Sequence, residues 1–304
     1  MHLQHSLAEF RLYYNRVIYP ELRVLERQRQ RMIFLLALLA ALGIGLIWLI
    51  LKAHIPAISL FFWIPIYFFI KYLQSKIKGF TKLFKPRIVN LVLKHLNPQL
   101  VYDAEGGIAE EVFMQSGIFV TSPSEYHAED YVSGRIGTAD FELCEIHARQ
   151  SPRVEGAPTV LFRGLFFKTK MPDEFEGLIL ILPKEDAQYL IRSIKAITRE
   201  QGHRVEINDA RFNERFVAYS TSDSLVVNFL TDNMITDIVN YRELYHKKMY
   251  ISFCNGTFYL AVRNDIDILE PNIWQSNVSF TLVKAFYDDL VLITSIVADL
   301  DLKN

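Results

Sequence analysis

The stretch MIFLLALLAALGIGLIWLIL, from Met32 to Leu51, contains no charged side chain. As an α-helix rising 1.5 Å per residue it would extend about 30 Å, the thickness of the hydrocarbon core of a bilayer. A helix of a soluble domain normally keeps a polar face, and a cleaved signal peptide has a shorter apolar run that ends in small residues. The stretch therefore predicts a transmembrane helix.

A second apolar run, IPAISLFFWIPIYFFI from Ile55 to Ile70, follows after a short connector. As a helix it would extend about 24 Å, which is less than a full crossing unless the bilayer thins or flanking residues contribute. Pro65 would kink this helix, and membrane helices tolerate such kinks. The run is either a second crossing that closes a tight hairpin or a segment that is half inserted or lies on the surface.

The charges that flank the two runs favour the hairpin. Residues 1–31 contain six arginines and three acidic residues, and residues 71–94 contain seven basic residues and no acidic ones. Positively charged flanks stay on the cytoplasmic side, and a hairpin places both flanks and both termini there. Some of these side chains are expected to contact lipid headgroups: Arg27, Arg29, Arg31, Lys71, Lys76, Lys78, Lys82, Lys85 and Arg87. The alternative is that they set topology without any specificity for lipid.

Composition and periodicity divide the chain into four parts. These are an amphipathic N-terminal helical segment (1–31), the transmembrane hairpin (32–70, with crossings at 32–51 and about 54–71), a polybasic juxtamembrane stem (71–97) and a cytoplasmic domain (98–304). The first segment has apolar residues at helical spacing, with Pro20 interrupting the pattern. It is expected to lie along the headgroups or to pack on the protein.

The cytoplasmic domain shows short apolar or alternating runs separated by helical patterns. Strands are predicted near 138–148, 158–168, 177–182, 203–207 and 215–220, and helices near 106–116, 184–200 and 223–245. In KMYISFCNGTFYLAVR two β-rich runs flank Asn255-Gly256, the pair preferred in a type I′ hairpin turn. We therefore expect an α+β fold, with a two-helix transmembrane hairpin followed by a soluble domain that has a largely antiparallel sheet and a C-terminal helix.

The C-terminal helix carries an apolar seam. Its members are spaced alternately three and four residues apart: Val283, Phe286, Leu290, Ile293, Val297 and Leu300. Fewer than three heptads do not define a coiled coil. The seam is expected either to dock on the domain's own sheet or to support self-association through residues 283–300.

Charge and motifs exclude several functions. Residues 95–304 hold 19 basic and 31 acidic residues, so this part would repel nucleic acid. P-loop, GxGxxG, GxSxG, HExxH and EF-hand patterns do not occur, and the histidines lack metal-ligand spacing. We expect no cofactor and no metal. Cys144 and Cys254 belong to no CxxC motif, and they fit two reduced thiols or one disulfide equally well.

One polar segment, EYHAEDYVSGRIG at 125–137, concentrates charged and aromatic residues. The candidate binding residues are Tyr126, His127, Glu129, Asp130 and Arg135. Carboxylates beside a histidine and an arginine can perform acid–base chemistry or bind a cationic group. More often such a segment is a loop that enters a strand, with the arginine paired to a carboxylate.

Four segments together resemble a bacterial family catalogued only as a domain of unknown function, with one or two N-terminal membrane spans before a soluble domain. They are the Tyr-rich segment from Tyr126 to Gly134 with the strand after it, FRGLFF (162–167), FNERFVAYS (212–220) and the helix start Leu230-Thr-Asp. The chain departs from the family pattern at Asn213 (usually Glu), Ala218 (usually Val) and Asp232 (usually Pro). The resemblance implies architecture and a bacterial inner membrane, and it supplies no activity.

Three functions are compatible with these observations. The first is a membrane-tethered cytoplasmic module that binds a protein partner or acts as a scaffold, and it agrees best with the anchor and the missing catalytic motifs. The second is a membrane-proximal hydrolase or transferase that uses His127, Glu129 and Asp130. The third is an accessory subunit of a membrane transport complex. The partner, the ligand and the oligomeric state do not follow from the sequence.

Overall fold

In a computed structural model of the protein, two units are distinguished. The described residues are 2–53, 56–151, 159–171, 173–186, 191–199, 202–264 and 269–301. Met1–His95 and Leu269–Ala285 form the first compact unit, called the helical unit here; Leu96–Ile268 and Phe286–Asn304 form the second, called the sheet unit. Residues 269–285 thus group with the N-terminal helices, whereas the sequence placed them with the C-terminal domain.

The helical unit is built from long helices. They are α1 (His2–Tyr13), a π-helical turn (Tyr14–Ile18), α2 (Tyr19–Ala53) and α3 (Pro56–Leu96). Pro20 has no N–H and its ring would clash with the carbonyl group four residues earlier, so it disturbs a regular α-helix. The wider π-helical turn lies just before Pro20, and the chain remains helical on both sides.

The N-terminal segment packs inside the helical unit. Its buried side chains recur every three or four residues: Phe10, Tyr14, Ile18, Leu22 and Leu25. The Tyr13 hydroxyl donates a hydrogen bond to the Leu91 carbonyl at 3.0 Å. The Tyr14 ring meets the Phe280 ring edge-on at 4.9 Å. The apolar face of this segment is therefore covered by protein.

The apolar run in α2 is exposed. Among the described residues, one helix is long and apolar enough to cross a membrane, and none of its most apolar 18-residue stretch is buried. Large side chains that protrude include Phe34, Leu42, Ile44 and Trp48. This confirms the long apolar N-terminal helix predicted from the sequence, and it indicates membrane association.

The predicted two-helix hairpin is not shown. Part of the second run lies outside the described residues, since residues 54 and 55 and the side chains of 56–63 are not described. The part of this run whose side chains are described is 64–70. It covers about 10 Å as a helix, which is too short to cross a bilayer on its own. Among the described residues, one helix thus qualifies as a candidate span, where the sequence predicted two.

The sheet unit contains nine strands among the described residues. They are β1 (Val101–Asp103), β2 (Glu125–Ile136), β3 (Ala139–Gln150), β4 (Thr159–Lys170), β5 (Leu178–Pro183), β6 (His203–Val205), β7 (Phe216–Ser220), β8 (Met249–Cys254) and β9 (Thr257–Arg263). Their order is β1-β2-β3-β4-β9-β8-β5-β7-β6, and each pairing is antiparallel. The prediction of a largely antiparallel sheet is confirmed.

Five described helices occupy connections between these strands, and a sixth follows β9. They are α4 (Glu110–Gln115), α5 (Ile191–Arg199), α6 (Ala210–Arg215), α7 (Asp223–Phe229), α8 (Asp232–Tyr245) and α9 (Phe280–Asp301). The Asn255-Gly256 turn joins β8 to β9, and both residues have the positive φ that a type I′ turn requires, at 45° and 74°. Helices interleaved with antiparallel hairpins give the expected α+β class.

The apolar seam of α9 is buried within the chain. Each of its six members is at most 5% exposed: Val283, Phe286, Leu290, Ile293, Val297 and Leu300. Asp289, on the same helix, accepts two hydrogen bonds from the Lys247 ammonium group at 2.6 and 2.7 Å. This corrects the expectation of self-association through residues 283–300, because the seam already packs inside its own chain.

Candidate functional site

A cavity of about 430 Å³ lies at one edge of the sheet unit. In an antiparallel sheet the start of one strand lies beside the end of its neighbour. The strands β4, β9, β8 and β5 are consecutive neighbours, so the starts of β4 and β8 meet the ends of β9 and β5 at this edge. Charged and phenolic side chains from three chain segments line it: Asp186 after β5, Lys248 and Tyr250 at β8, and Arg263 at the end of β9.

Asp186 is the centre of the polar side of this cavity. Its side chain is 9% exposed, and the Lys248 ammonium group donates a hydrogen bond to its Oδ1 atom at 2.5 Å. The Tyr250 hydroxyl donates to its Oδ2 atom at 2.6 Å. Both carboxylate oxygens are thereby engaged, which is how proteins accommodate a buried charge.

The electrostatics of the cavity keep Tyr250 protonated. Burial, followed by the hydrogen bond to Asp186 and the negative charge of Asp186, raises the pKa of Tyr250. The Arg263 guanidinium group, which interacts with the hydroxyl, opposes this rise in pKa without cancelling it. Lys248 and Arg263 together carry two positive charges against the single negative charge of Asp186.

The opposite side of the cavity is apolar. Phe119, Val160 and Leu161 form it. The Phe119 ring lies 4.9 Å from the Phe113 ring and 5.6 Å from the Tyr250 ring, measured between centroids. These contacts join the wall to the aromatic core, and such cores are packed as densely as organic crystals. The wall is therefore preformed.

Sequence reasoning did not find this cavity. Lys248 and Tyr250 are two residues apart, a spacing that places both side chains on one face of a strand. That was the one local signal available, and it is common in strands that bind nothing. Asp186 and Arg263 are 77 residues apart, and no motif joins them. Among the described residues no group of three or more His, Cys, Asp and Glu side chains could hold a metal ion.

The candidate segment at 125–137 forms strand β2 (Glu125–Ile136), where the sequence favoured a loop entering a strand. The Tyr126 ring faces the core, 5.7 Å from the Phe113 ring, and its hydroxyl donates to the Ile108 carbonyl at 2.7 Å. Burial raises the pKa of Tyr126. His127 and Glu129 are more exposed, with 3.5 Å between His127 Nε2 and Glu129 Oε2. These two are the members of the segment that the structure brings together.

Asp130 and Arg135 have separate roles in β2. Asp130 has a φ of 60° and lies in a bulge that shifts the pairing of β2 with β3. Its Oδ1 atom accepts a hydrogen bond from the Tyr102 hydroxyl. Arg135 pairs across the hairpin with Asp140, with 3.1 Å between Nε and Oδ1. The five candidate residues therefore do not converge on one point, and ligand binding by them stays a prediction.

Two of the nine basic residues expected at the membrane surface are buried. Arg29 donates to Glu26 Oε1 at 2.6 Å and to the Ile273 carbonyl at 2.6 Å, and it is 7% exposed. Lys85 is 8% exposed. This corrects the expectation for both side chains, because their charges lie inside the helical unit. The other seven are exposed: Arg27, Arg31, Lys71, Lys76, Lys78, Lys82 and Arg87.

A family model described as "Protein of unknown function (DUF3137)" matches residues 160–302. This confirms the resemblance to a family catalogued only as a domain of unknown function. Three of the four motif segments lie within the match, and the one from Tyr126 to Gly134 lies outside it.

The motifs inside the match have structural roles. A Cβ atom on Gly164 would lie 2.1 Å from the Val262 carbonyl oxygen, so FRGLFF needs glycine where β4 approaches β9. Asn213 accepts a hydrogen bond from the Ile207 N–H at 3.3 Å and donates one to the Ile207 carbonyl. An ionised glutamate is the usual family residue there, and its side chain could accept a hydrogen bond but could not donate one.

Other comparisons found little. No curated protein matches this chain. Among solved structures, the crystal structure of the mycobacterial trehalose monomycolate transport factor A, TtfA, matches with a TM-score of 0.36 and 12% sequence identity. The match covers 68% of this chain and 94% of that chain. Similarity at this level does not establish a shared fold.

Proposed function

We propose that this protein is a membrane-tethered cytoplasmic binding module, anchored in a bacterial inner membrane by a two-helix hairpin. The observation that carries the proposal is the exposed apolar face of α2. Phe34, Leu42, Ile44 and Trp48 protrude from a helix stretch of which nothing is buried. An exposed apolar surface of this length would cause aggregation in water, and it is stable in the hydrocarbon of a bilayer.

The described part of the second run supports a second crossing. Ile64, Tyr67, Phe68 and Ile70 are exposed large apolar side chains on α3. At the end of this run the Lys71 ammonium group lies 5.9 Å from the centroid of the Tyr67 ring. Aromatic rings and snorkelling lysines are typical of the level of the headgroups, where a crossing ends.

The first run ends in the same way. The Lys52 ammonium group lies 4.7 Å from the centroid of the Trp48 ring. The exposed basic residues Arg27 and Arg31 precede this run, and Lys71, Lys76 and Lys78 follow the second one. A hairpin places both groups on the cytoplasmic side, where the seven exposed basic residues would meet anionic headgroups.

The cavity of the sheet unit supports a binding role. Its volume of about 430 Å³ falls in the range of small-molecule sites, and such sites combine an apolar wall with a few converging polar groups. Its carboxylate, Asp186, is engaged by Lys248 and Tyr250 at both oxygens. A general base needs an oxygen within reach of a substrate proton, so this arrangement favours binding over proton transfer.

The test is topology in living cells with the full-length chain. The variant Ala53→Cys places a thiol at the connector, and a reporter that is active only in the cytoplasm, or only outside it, follows residue 304. We expect a membrane-impermeant maleimide to label the variant in intact cells and the cytoplasmic reporter to be active. The natural chain is the control, since its partly exposed Cys254 would be labelled only after lysis and its Cys144 is buried.

Two outcomes would contradict the proposal. Activity of the external reporter would mean that the chain crosses once and that the sheet unit is exported. Absence of labelling at Ala53→Cys in intact cells, with labelling after lysis, would mean that the connector does not reach the outside.

A further inference from the structure

We propose that the cavity of the sheet unit binds a small organic anion, in which a carboxylate or phosphate group is attached to an apolar body. Lys248 and Arg263 would hold the anionic group, and Phe119, Val160 and Leu161 would cover the apolar body. This inference rests on the proposed binding role and names the ligand class, and it is independent of how often the chain crosses the membrane.

The polar side of the cavity favours an anion. An ammonium group has three N–H donors and a guanidinium group has five. Asp186 engages one donor of Lys248, and about one third of the Lys248 side chain is exposed. An anionic group placed between Lys248 and Arg263 would accept hydrogen bonds from both cationic side chains. Charge-assisted hydrogen bonds of this kind are about twice as strong as neutral ones.

Asp186 positions the Lys248 ammonium group and disfavours a cationic ligand. A ligand cation would need a carboxylate oxygen, but both oxygens already accept hydrogen bonds from Lys248 and Tyr250. A cation would also meet the positive charges of Lys248 and Arg263 at short range. The carboxylate therefore holds the lysine in place at the polar end of the cavity.

The cavity volume and the apolar wall fit a ligand that is larger and more apolar than an inorganic anion. Inorganic phosphate or acetate would leave most of the 430 Å³ to water against Phe119, Val160 and Leu161. Burial of an apolar body there gains about 25 cal/mol for each Å² removed from water.

The experiment uses the full-length chain in nanodiscs of phosphatidylcholine, a lipid without net charge. The probes are 2-naphthoate, 2-naphthyl phosphate and uncharged 2-naphthol, whose fluorescence anisotropy rises on binding, and empty nanodiscs give the background. We expect saturable binding of at least one anion, with 2-naphthol weaker by about tenfold or more, the effect of one charge-assisted hydrogen bond. The two anions distinguish a carboxylate site from a phosphate site.

Matched variants assign the binding to this cavity. Lys248→Met should weaken binding of the preferred anion by about tenfold or more, for the same reason. Lys168→Met is the control, because Lys168 also pairs with a carboxylate, with 2.9 Å to Glu142 Oε1, and does not line the cavity. We expect this control to bind like the natural chain.

A second variant covers the case in which Lys248→Met fails to fold. Val160 is 37% exposed on the cavity wall, so Val160→Glu adds a negative charge without removing any contact of Asp186. It should weaken binding of the anions by a larger factor than binding of 2-naphthol, which loses only apolar contact, with an unaltered melting curve.

The proposal is overturned if no anion binds above background, if 2-naphthol binds as tightly as the anions, or if Val160→Glu folds and binds them unchanged. Competition by acetate or inorganic phosphate at the concentration of the naphthyl anions would overturn the role of the apolar wall. None of these outcomes affects the topology result. Conversely, an exported C-terminus would overturn the cytoplasmic tether and leave anion binding in place.

Discussion

At the scale of single residues, Glu26 and Arg29 show how a surface charge pattern can conceal a buried pair. They are three positions apart on α2, so their side chains lie on the same face of the helix. The hydrogen bond from Arg29, together with its positive charge, lowers the pKa of Glu26 below its ordinary value of 4.5, against the opposing effect of burial. A lowered carboxyl pKa stabilises the fold above pH 4.5, and this stabilisation is lost as pH falls through the folded-state pKa.

Replacing Glu26 by glutamine should lower the free energy of unfolding by about 3 kcal/mol at neutral pH, because the Arg29 charge would stay buried without its partner. Thermal unfolding in detergent, followed by circular dichroism, measures this change. The matched control is Glu21→Gln, which removes a partly exposed pair with Arg87 and should cost less than about 1 kcal/mol. The difference between Glu26→Gln and the natural chain should shrink below pH 4.5. Equal effects of the two variants would contradict a buried pair.

The two cysteines should differ in reactivity. Cys144 is fully buried, and burial raises the pKa of its thiol to about 12 from an ordinary value of 9. Since the thiolate is the reactive form, iodoacetamide at pH 8 should modify Cys254, which is partly exposed, long before Cys144. Mass spectrometry of the alkylated peptides measures both rates.

The raised pKa of the Cys144 thiol also makes the stability of the fold and the alkylation rate depend on pH. The protonated Cys144 thiol favours the fold, so its contribution is present below pH 9 and is lost as pH rises toward 12. The rate of alkylation at Cys144 should rise over the same range. A Cys144 thiol that reacts at pH 8 as fast as an unfolded peptide would show that this strand opens readily.

At the scale of elements, the start of α8 explains one departure from the family pattern. The Thr231 hydroxyl accepts a hydrogen bond from the Met234 N–H at 3.0 Å, so Thr231 is the N-cap and Asp232 is the first helical residue. The first helical position has no intrahelical partner for its N–H, which is why proline is favoured there. Asp232 and the proline that is usual in the family are therefore both compatible with the first helical position, which does not need a backbone N–H.

We expect Thr231→Ala to lower the free energy of unfolding by about 1 kcal/mol, the usual value of an N-cap hydrogen bond. Asp232→Pro should change it by less than about 0.5 kcal/mol, because Thr231 already has the extended backbone that a following proline requires. Denaturant unfolding of both variants measures this. If Asp232→Pro were the more damaging change, the assignment of the cap would be wrong.

Strand β2 is the element that sequence reasoning described least well. Most of the predicted strands have apolar runs, whereas β2 carries four charged side chains and a bulge at Asp130. The bulge shifts the alternation of inward and outward side chains, so the period of two is lost in the sequence. The strand is held by its pairing with β1 and β3, and that pairing is not a property of its own residues.

At the scale of the whole molecule, membrane association should depend on the apolar run of α2 and not on exposed leucines in general. Leu42→Arg places a charge near the middle of this run, where insertion costs about 2.5–3.5 kcal/mol more. The fraction of protein that remains in carbonate-washed membranes should therefore fall. The control is Leu83→Arg on α3, an exposed position outside the apolar runs, and it should leave the fraction unchanged. Equal retention of both variants would contradict insertion of α2.

The sequence by itself determined the apolar helix, the antiparallel α+β class and the Asn255-Gly256 hairpin. Each of these depends on composition or periodicity within a few neighbouring residues, and that information is present in a short window of sequence. The sequence also led to the family resemblance, through motifs such as the helix start at Thr231, whose capping role is local.

Only the tertiary structure determined which charged side chains are buried and where the cavity lies. Arg29 is buried because Glu26 and the Ile273 carbonyl surround it, and Ile273 is 244 residues away along the chain. Asp186, Lys248 and Arg263 meet because β5, β8 and β9 are neighbours in the sheet. Strand order results from the packing of the whole core, and no local pattern encodes which distant residues will share an edge.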